Sequence, residues 1–298
     1  CEIYNLVKEI NPNIAHFVTI KPVLYGGIVS RFLSIHNKVF SISGLGFIFI
    51  KQGLKATLVR MLIKTMYKFA LGGKNSHVIV QNPDDKAVLD SIVKVPITLI
   101  RGSGVDLSQY EYIEENNQKI KVSMACRLLK DKGVFEYIEA SKILKKKYLN
   151  VKFELYGDID IHNPASLTSD DIKKIKEEGF VNVYGFSSDI AKVFCDSNII
   201  VLPSYREGLP KVLIEAAACG RAVVTTDVPG CRDAIEPNVT GLLCEVKDTE
   251  SLARMIEKLI IDEKLRNRMG YEGRKLAEQE FDINKVVEKH FEIYEGRV

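Results

Sequence analysis

Residues 198–226 read NIIVLPSYREGLPKVLIEAAACGRAVVTT, and they decide the fold. The continuous apolar stretch Asn198–Leu202 predicts a strand, and the small apolar residues of Pro210–Cys219 predict a helix. A second apolar strand is predicted at Ala222–Thr226. Strands made of consecutive Val, Ile and Leu and separated by helices are typical of a parallel sheet covered on both faces.

The same alternation extends along the rest of the chain. Further strands are predicted at Lys121–Ala125, Val151–Tyr156, Val181–Tyr184 and Leu242–Cys244, and more weakly at Ile14–Thr19, Lys38–Ser43, His77–Gln81 and Ile97–Arg101. Helices are predicted at Gly133–Lys147, Asp170–Glu178 and Asp189–Cys195, around Leu252–Leu259 with Asp248 or Thr249 as the cap, and at Ile283–Glu295. This pattern indicates two α/β halves joined near Gly102–Glu115.

The composition is that of a globular protein, with 46% hydrophobic and 27% charged residues in a chain of 298. It excludes collagen, coiled coils and disordered chains. The longest apolar stretch, Val39–Ile50, is too short to span a membrane and contains two glycines. Six cysteines form no CxxC pair, which favours reduced thiols in a cytosol over a zinc site or a redox pair.

Basic residues dominate the N-terminal region, where no acid occurs between residue 9 and residue 84. Within the predicted helix Ile50–Leu71, basic residues at intervals of four lie on one face, namely Arg60, Lys64 and Lys68. Such a helix can lie on an anionic membrane surface, and the alternative is a solvated helix whose apolar side packs on the core. Nucleic acid is a poorer candidate partner because no recognition module is visible.

Two carboxylates follow the strand at Asn198–Leu202, at the sheet edge where open α/β sheets bind ligands. Glu207 lies in a loop, and Glu215 lies in an apolar helix where a carboxylate is costly without a partner. Sugar or ribose hydroxyls would supply that partner. The alternatives are a solvated loop acid for Glu207 and a structural pair with an Arg for Glu215. The backbone amides of Gly208–Lys211 lie at the start of this helix, where they favour the binding of an anion.

This arrangement resembles the retaining family 4 glycosyltransferases of GT-B architecture, whose hallmark is two glutamates separated by seven residues. The resemblance extends to Ile199–Ser204, Ala222–Ala234 and Gly241–Cys244. The bacterial capsule and O-antigen subgroup is indicated by Lys21-Pro22, SISGLG at Ser41–Gly46 and GSGVD at Gly102–Asp106. The resemblance implies two Rossmann-like α/β domains with parallel sheets. We place an incomplete acceptor-side domain at residues 1–105, a donor-binding domain at 106–282, and a C-terminal helix at 283–298 that packs back on the first domain.

The resemblance also assigns roles to individual residues. It implies that Glu215 binds the nucleotide ribose, that Glu207 contacts the donor sugar, and that Arg127 and Lys132 neutralise the diphosphate. Lys130 is a competing candidate for the second cation. Further donor contacts are implied for Gly208, Leu209, Pro210, Lys211, Gly185 and Phe186. No cofactor or catalytic metal is expected, although Asp158-Ile159-Asp160 spells the DxD motif of another transferase fold.

The chain departs from the family pattern at its N-terminal end. It begins with Cys1, and the first βα unit, with its glycine-rich loop, is missing. We expect the true N-terminus to lie upstream, and a cleaved lipoprotein is the alternative. His16 matches the first of two family histidines, but Val18 occupies the second position. A structural role for His16 is therefore at least as good an interpretation as a catalytic one.

The expected activity is transfer of a sugar from a nucleotide donor, a UDP-sugar, to a lipid-linked glycan, with retention of configuration. It would serve surface polysaccharide synthesis at the inner face of the cell membrane. Alternatives are a non-catalytic sugar-nucleotide-binding subunit or another GT-B enzyme, such as a sugar-nucleotide epimerase or a phosphorylase. A dinucleotide dehydrogenase fits poorly because Gly44-Leu45-Gly46 lacks the third glycine of the fingerprint.

Overall fold

The computed structural model describes residues 2–45, 53–116 and 118–297. They form two compact units, the first comprising Cys1–Ser103 with Asn284–Val298 and the second Gly104–Ile283. Each unit contains a parallel sheet flanked by helices. Across the described residues, no helix combines the length and the apolar character that crossing a membrane requires.

The first unit is built on a parallel sheet with the strand order β1-β2-β3-β4. Its strands are β1 (Ile14–Val18), β2 (Asn37–Ile42), β3 (Ser76–Val80) and β4 (Ile97–Leu99). Its helices are α1 (Glu2–Ile10), α2 (Ile20–Ser30), α3 (Leu54–Leu71), α4 (Pro83–Asp90) and, at the C-terminal end of the chain, α11 (Ile283–Tyr294).

Alternate residues of β2 point to opposite faces of this sheet, and each face has its own apolar cluster. Phe40 packs in a cluster with Tyr67 of α3. Val39 packs in another with Val286 and Ile293 of α11. The C-terminal helix therefore belongs to the first unit.

The second unit is built on a parallel sheet with the strand order β10-β9-β8-β5-β6-β7. Its strands are β5 (Lys121–Ala125), β6 (Lys152–Tyr156), β7 (Asn182–Gly185), β8 (Ile199–Leu202), β9 (Ala222–Thr226) and β10 (Gly241–Cys244). Its helices are α5 (Val134–Lys145), α6 (Ser169–Glu178), α7 (Ile190–Cys195), α8 (Lys211–Ala218), α9 (Thr249–Ile261) and α10 (Glu263–Leu276). The order reverses between β5 and β8, which makes their carboxyl ends a topological switch point.

The predicted strand–loop–helix–strand at residues 198–226 is confirmed as β8, α8 and β9, and every residue of β8 and β9 is buried. The other predicted strands and helices are also present, with ends that differ by a few residues. Asp248 caps α9, accepting from the Ser251 amide at 2.8 Å. Helices α1, α2, α4 and α10 were not predicted.

The predicted basic helix Ile50–Leu71 is confirmed from Leu54 onward as α3. Residues 50–52 lie outside the described part of the chain, as do Cys1 and the last glycine of the SISGLG motif, Gly46.

Candidate active site

Lys132 and Glu207 form an ion pair at the carboxyl edge of the second unit's sheet. Lys132 follows β5 and Glu207 follows β8, so the pair lies at the switch point, where open α/β sheets bind ligands. The side chains are 19% and 13% exposed, respectively, so solvent screens the pair only in part. Lys130, the competing candidate, is exposed.

Two glycines hold this pair in place, and sequence reasoning missed both. Gly133 has φ +76°, and a Cβ there would lie 2.2 Å from the carbonyl oxygen of Pro203. Gly230 has φ +83°, and a Cβ there would lie 2.4 Å from the carbonyl oxygen of Glu207. Because any larger residue would push these backbones apart, the loops bearing Lys132 and Glu207 depend on both glycines.

Glu215 lies on α8, is buried, and has a hydrogen-bond partner that sequence reasoning also missed. The Tyr110 hydroxyl donates to its Oε1 at 2.7 Å, and the Lys211 ammonium lies 3.3 Å from the same oxygen. The expected alternative, a structural pair with an Arg, is therefore wrong. Burial, together with the neighbouring Glu215, raises the pKa of Tyr110, so its hydroxyl stays protonated and can donate. Within the described chain Oε2 has no such partner, which leaves it able to accept hydrogen bonds.

A cavity of about 520 Å³ opens beside the ends of β5, β6 and β7. Arg127 and Phe186 line it together with the segment Gly157–His162. Gly185, whose φ is +77°, turns the chain so that Phe186 is exposed at this cavity. Arg127 lies 3.4 Å from Asp160, so the structure places this predicted cation with the DxD segment rather than with Glu207.

The turn Gly208–Lys211 joins Glu207 to α8. Leu209 and Pro210 are buried, and α8 begins at Lys211. Pro210 has ψ 122° and lies just before the helix, which therefore begins one residue later than predicted. The first amides of α8 point away from their own helix, as at any helix start, and suit an anionic group.

His16 lies in the first unit, and both of its ring nitrogens are engaged. Nδ1 is 2.7 Å from the Tyr294 hydroxyl and Nε2 is 2.6 Å from Ser41 Oγ. Burial and the nearby His290 lower the pKa of His16. These contacts favour the structural alternative, since they join β1 and β2 to the C-terminal helix.

Arg60, Lys64 and Lys68 lie along α3. This helix also carries exposed apolar side chains, among them Leu58, Met61, Leu62 and Phe69, which are 67%, 62%, 61% and 47% exposed. Among the described residues, His, Cys, Asp and Glu side chains form no cluster of three or more that could hold a metal ion.

Comparison with known proteins identifies the family. The family described as glycosyl transferases group 1 matches residues 109–276, and the one described as glycosyl transferase 4-like matches residues 1–82. The N,N'-diacetylbacillosaminyl-diphospho-undecaprenol alpha-1,3-N-acetylgalactosaminyltransferase of Campylobacter jejuni is 29% identical, over 97% of this chain and 78% of that protein. The UDP-Gal:alpha-D-GlcNAc-diphosphoundecaprenol alpha-1,3-galactosyltransferase of Escherichia coli is 23% identical, over 98% and 77%.

Solved structures give the same fold. A sucrose-phosphate synthase from Thermosynechococcus elongatus matches with a TM-score of 0.82 and 21% identity, over 98% of this chain and 75% of that one. The Anabaena protein HepE in complex with UDP matches with a TM-score of 0.77 and 19% identity, over 99% and 81%. The predicted GT-B fold class is confirmed. Since the group 1 match covers more than half of the chain, the chain belongs to the glycosyl transferases group 1 family and is a glycosyltransferase.

Proposed function

We propose that the carboxyl edge of the second unit's sheet binds a UDP-sugar, whose sugar is transferred with retention to a lipid-linked glycan. The observation that carries this proposal is the Lys132–Glu207 pair at the switch point, one helix start away from the buried carboxylate of Glu215. One cation for a phosphate and two carboxylates for hydroxyl groups are the groups that a nucleoside diphosphate sugar requires.

The donor would extend along this edge in three parts. The nucleobase enters the 520 Å³ cavity beside Phe186. The ribose hydroxyls donate to Glu215, whose Oε1 is already oriented by Tyr110. The diphosphate lies against the start of α8, within reach of Arg127 at the cavity wall and of Lys132.

The chemistry follows from where charge develops. As the bond between the sugar's anomeric carbon and the diphosphate oxygen breaks, negative charge grows on the leaving nucleoside diphosphate. Lys132 and Arg127 stabilise that charge, and Glu207 accepts a hydrogen bond from a donor-sugar hydroxyl. Lys132 is paired with Glu207, so the diphosphate takes over a cation that is already oriented. The leaving phosphate accepts the proton of the attacking hydroxyl, on the face it leaves, and the configuration is retained.

The acceptor class is proposed from the relatives. Two of them carry diphospho-undecaprenol substrates in their names, and each matches this chain over nearly its whole length. A polyprenyl-linked acceptor lies at a membrane, and α3 offers a surface for one. This helix carries Arg60, Lys64 and Lys68 together with exposed apolar side chains, a combination that suits the anionic inner leaflet.

A transfer assay tests the activity. The chain is incubated with UDP-glucose, UDP-galactose and their N-acetylated forms, each with and without a diphosphoundecaprenol-linked sugar. The proposal predicts a glycosylated lipid with an α-linkage, which the anomeric proton coupling identifies. An epimerised sugar formed without acceptor would favour the epimerase alternative, and donor binding with no transfer would favour the non-catalytic subunit.

Vesicle sedimentation tests the membrane contact. Vesicles containing phosphatidylglycerol should bind the chain, and those of phosphatidylcholine alone should not. Replacing Arg60, Lys64 and Lys68 together by Gln should weaken binding, since each basic residue near the surface adds on the order of 1 kcal/mol. Matched replacement of Lys173, Lys174 and Lys176 on α6 serves as the control. Equal binding by both triple variants would contradict the assignment.

A further inference from the structure

Lys38, near the start of β2, is a buried lysine outside the donor site. It is 7% exposed and lies on the same face of β2 as Phe40 and Ile42, which point into an apolar cluster. Among the described residues its ammonium donates no hydrogen bond and pairs with no carboxylate. Lysine is rarely buried unless it is paired, because an unpaired ammonium is costly to remove from water.

Two further polar groups converge with this ammonium beside Gly73. A Cβ placed on Gly73 would lie 3.1 Å from Ser76 Oγ, 3.2 Å from Arg31 Nη1 and 3.4 Å from Lys38 Nζ. Ser76 Oγ is itself buried and has no hydrogen-bond partner among the described residues. Two cations and a hydroxyl therefore surround one point, and no described group supplies the matching negative charge.

The electrostatics of this cluster are those of a site that lacks its anion. Burial, together with the charge of Arg31, lowers the pKa of Lys38. A negative group between the two would reverse both effects, because it would offset the desolvation and separate the like charges. Guanidinium, ammonium and hydroxyl donors match the several oxygens of a phosphate group.

A cavity of about 620 Å³ borders Arg31, whereas Lys38 and Ser76 are not among its lining residues. Arg31 lies on its wall, with the guanidinium carbon 5.2 Å from the ring centre of Phe69. Lys68 and Lys94 also line it. The acid among its described lining residues, Asp90, is paired with Lys86 at 3.2 Å and does not neutralise the cluster.

We propose that Arg31, Lys38 and Ser76 form a binding site for a phosphate group at the amino edge of the first unit's sheet. Lys38 and Ser76 stand at the starts of β2 and β3, whereas the donor residues follow the ends of β5 and β8. The site is therefore independent of the proposed function. The same chemistry is offered by a soluble phosphate ester and by a phospholipid headgroup, and the experiment separates these sources.

Thermal unfolding in sodium phosphate, against sodium chloride of equal ionic strength, tests the site with inorganic phosphate as the probe. Phosphate should raise the Tm of the wild type but not that of Lys38→Met, whose apparent affinity falls at least about tenfold. Lys74→Met, which changes the exposed lysine next to Gly73, should respond as the wild type does. An equal phosphate response in Lys38→Met would overturn the proposal. In that case the ends of α2 and α3, with their partial negative charge, are what stabilise the cations.

Gly73→Ala is a second variant that keeps every charge and fills the point at which the three groups meet. It should lose the phosphate response as well, so the test does not depend on Lys38→Met folding. An unchanged response in Gly73→Ala would also count against the site.

Sedimentation with phosphatidylglycerol vesicles then identifies the source. If the site takes a lipid headgroup, Lys38→Met binds these vesicles several-fold more weakly than Lys74→Met. If it takes a soluble phosphate ester, both variants bind vesicles equally while only Lys38→Met loses the response to phosphate.

Discussion

At the carboxyl edge of the second unit's sheet Lys132 is paired with an acid, whereas at the amino edge of the first unit's sheet Arg31 and Lys38 pair with no acid among the described residues. In the second unit, Lys132 pairs with Glu207 and Glu215 is bonded to Tyr110. In the first, Lys38 and Arg31 lie together with no described anion between them. A ligand at the paired edge must exchange partners, whereas a ligand at the unpaired edge supplies a missing one. Removing a charge at the edge of the second unit's sheet should therefore reduce activity. Removing a charge at the edge of the first unit's sheet should reduce only ligand binding.

The largest effect is expected for Glu207→Ala. Loss of this carboxylate removes the proposed contact with the donor sugar and frees Lys132, so kcat should fall by about 10³-fold. Steady-state transfer assays with Glu177→Ala, an exposed acid on α6, as the control would measure it. Normal turnover by Glu207→Ala would remove this residue from the site.

A smaller loss is expected for Lys132→Met, which keeps the length of the side chain but removes the cation facing the leaving diphosphate. We expect a drop of about 10²-fold in kcat/KM. Lys130→Met, two residues earlier and exposed, is the matched control and should stay near wild type. If the two variants lose activity equally, Lys132 is not the particular cation that faces the leaving diphosphate.

Tyr110→Phe tests positioning rather than contact. Without the hydroxyl, Glu215 loses the hydrogen bond that orients it, so the KM for donor should rise up to about tenfold while kcat changes little. The variant should also discriminate less between UDP and 2′-deoxy-UDP in competition assays. A fall in kcat at unchanged KM would show a different role for this tyrosine.

The smallest effect concerns pH at the unpaired edge. The pKa of Lys38 in the folded chain lies below its ordinary value of 10.5. Between the folded pKa and 10.5, the Lys38 of the unfolded chain therefore binds more protons than that of the folded chain. The contribution of Lys38 to stability consequently rises as the pH increases towards 10.5. In phosphate-free buffer, the unfolding free energy of the wild type should increase relative to that of Lys38→Met as the pH rises. Urea unfolding followed by circular dichroism measures this, and parallel curves would show that Lys38 is not destabilised by burial.

The fold was largely readable from local patterns. The apolar residues of β8 and β9 and the small residues of α8 show their structure within a window of 29 residues. The missed helices α2 and α10 contain glycines, which disfavour helices in isolation. Tertiary packing explains the glycine of α10. A Cβ on Gly270 would lie 2.1 Å from the carbonyl oxygen of Gly220, so close packing requires the glycine.

Only part of the candidate site could be predicted from the sequence. The spacing and the family resemblance selected Glu207, Glu215 and Lys132, but Tyr110 lies 105 residues from its partner and no local pattern joins them. Lys38 was equally hidden, since a lysine at the start of a strand gives no sign of whether it is solvated. Such contacts depend on strand order and helix packing, which a single sequence states only indirectly.

The most direct test of the central claim is the affinity of UDP for the chain, measured by isothermal titration calorimetry. If the carboxyl edge of the second unit binds the nucleotide through Glu215, then Glu215→Gln binds UDP at least about tenfold more weakly, while Glu177→Gln binds it as the wild type does. Equal UDP affinity in wild type and Glu215→Gln would contradict the account, because the nucleotide would then lie elsewhere.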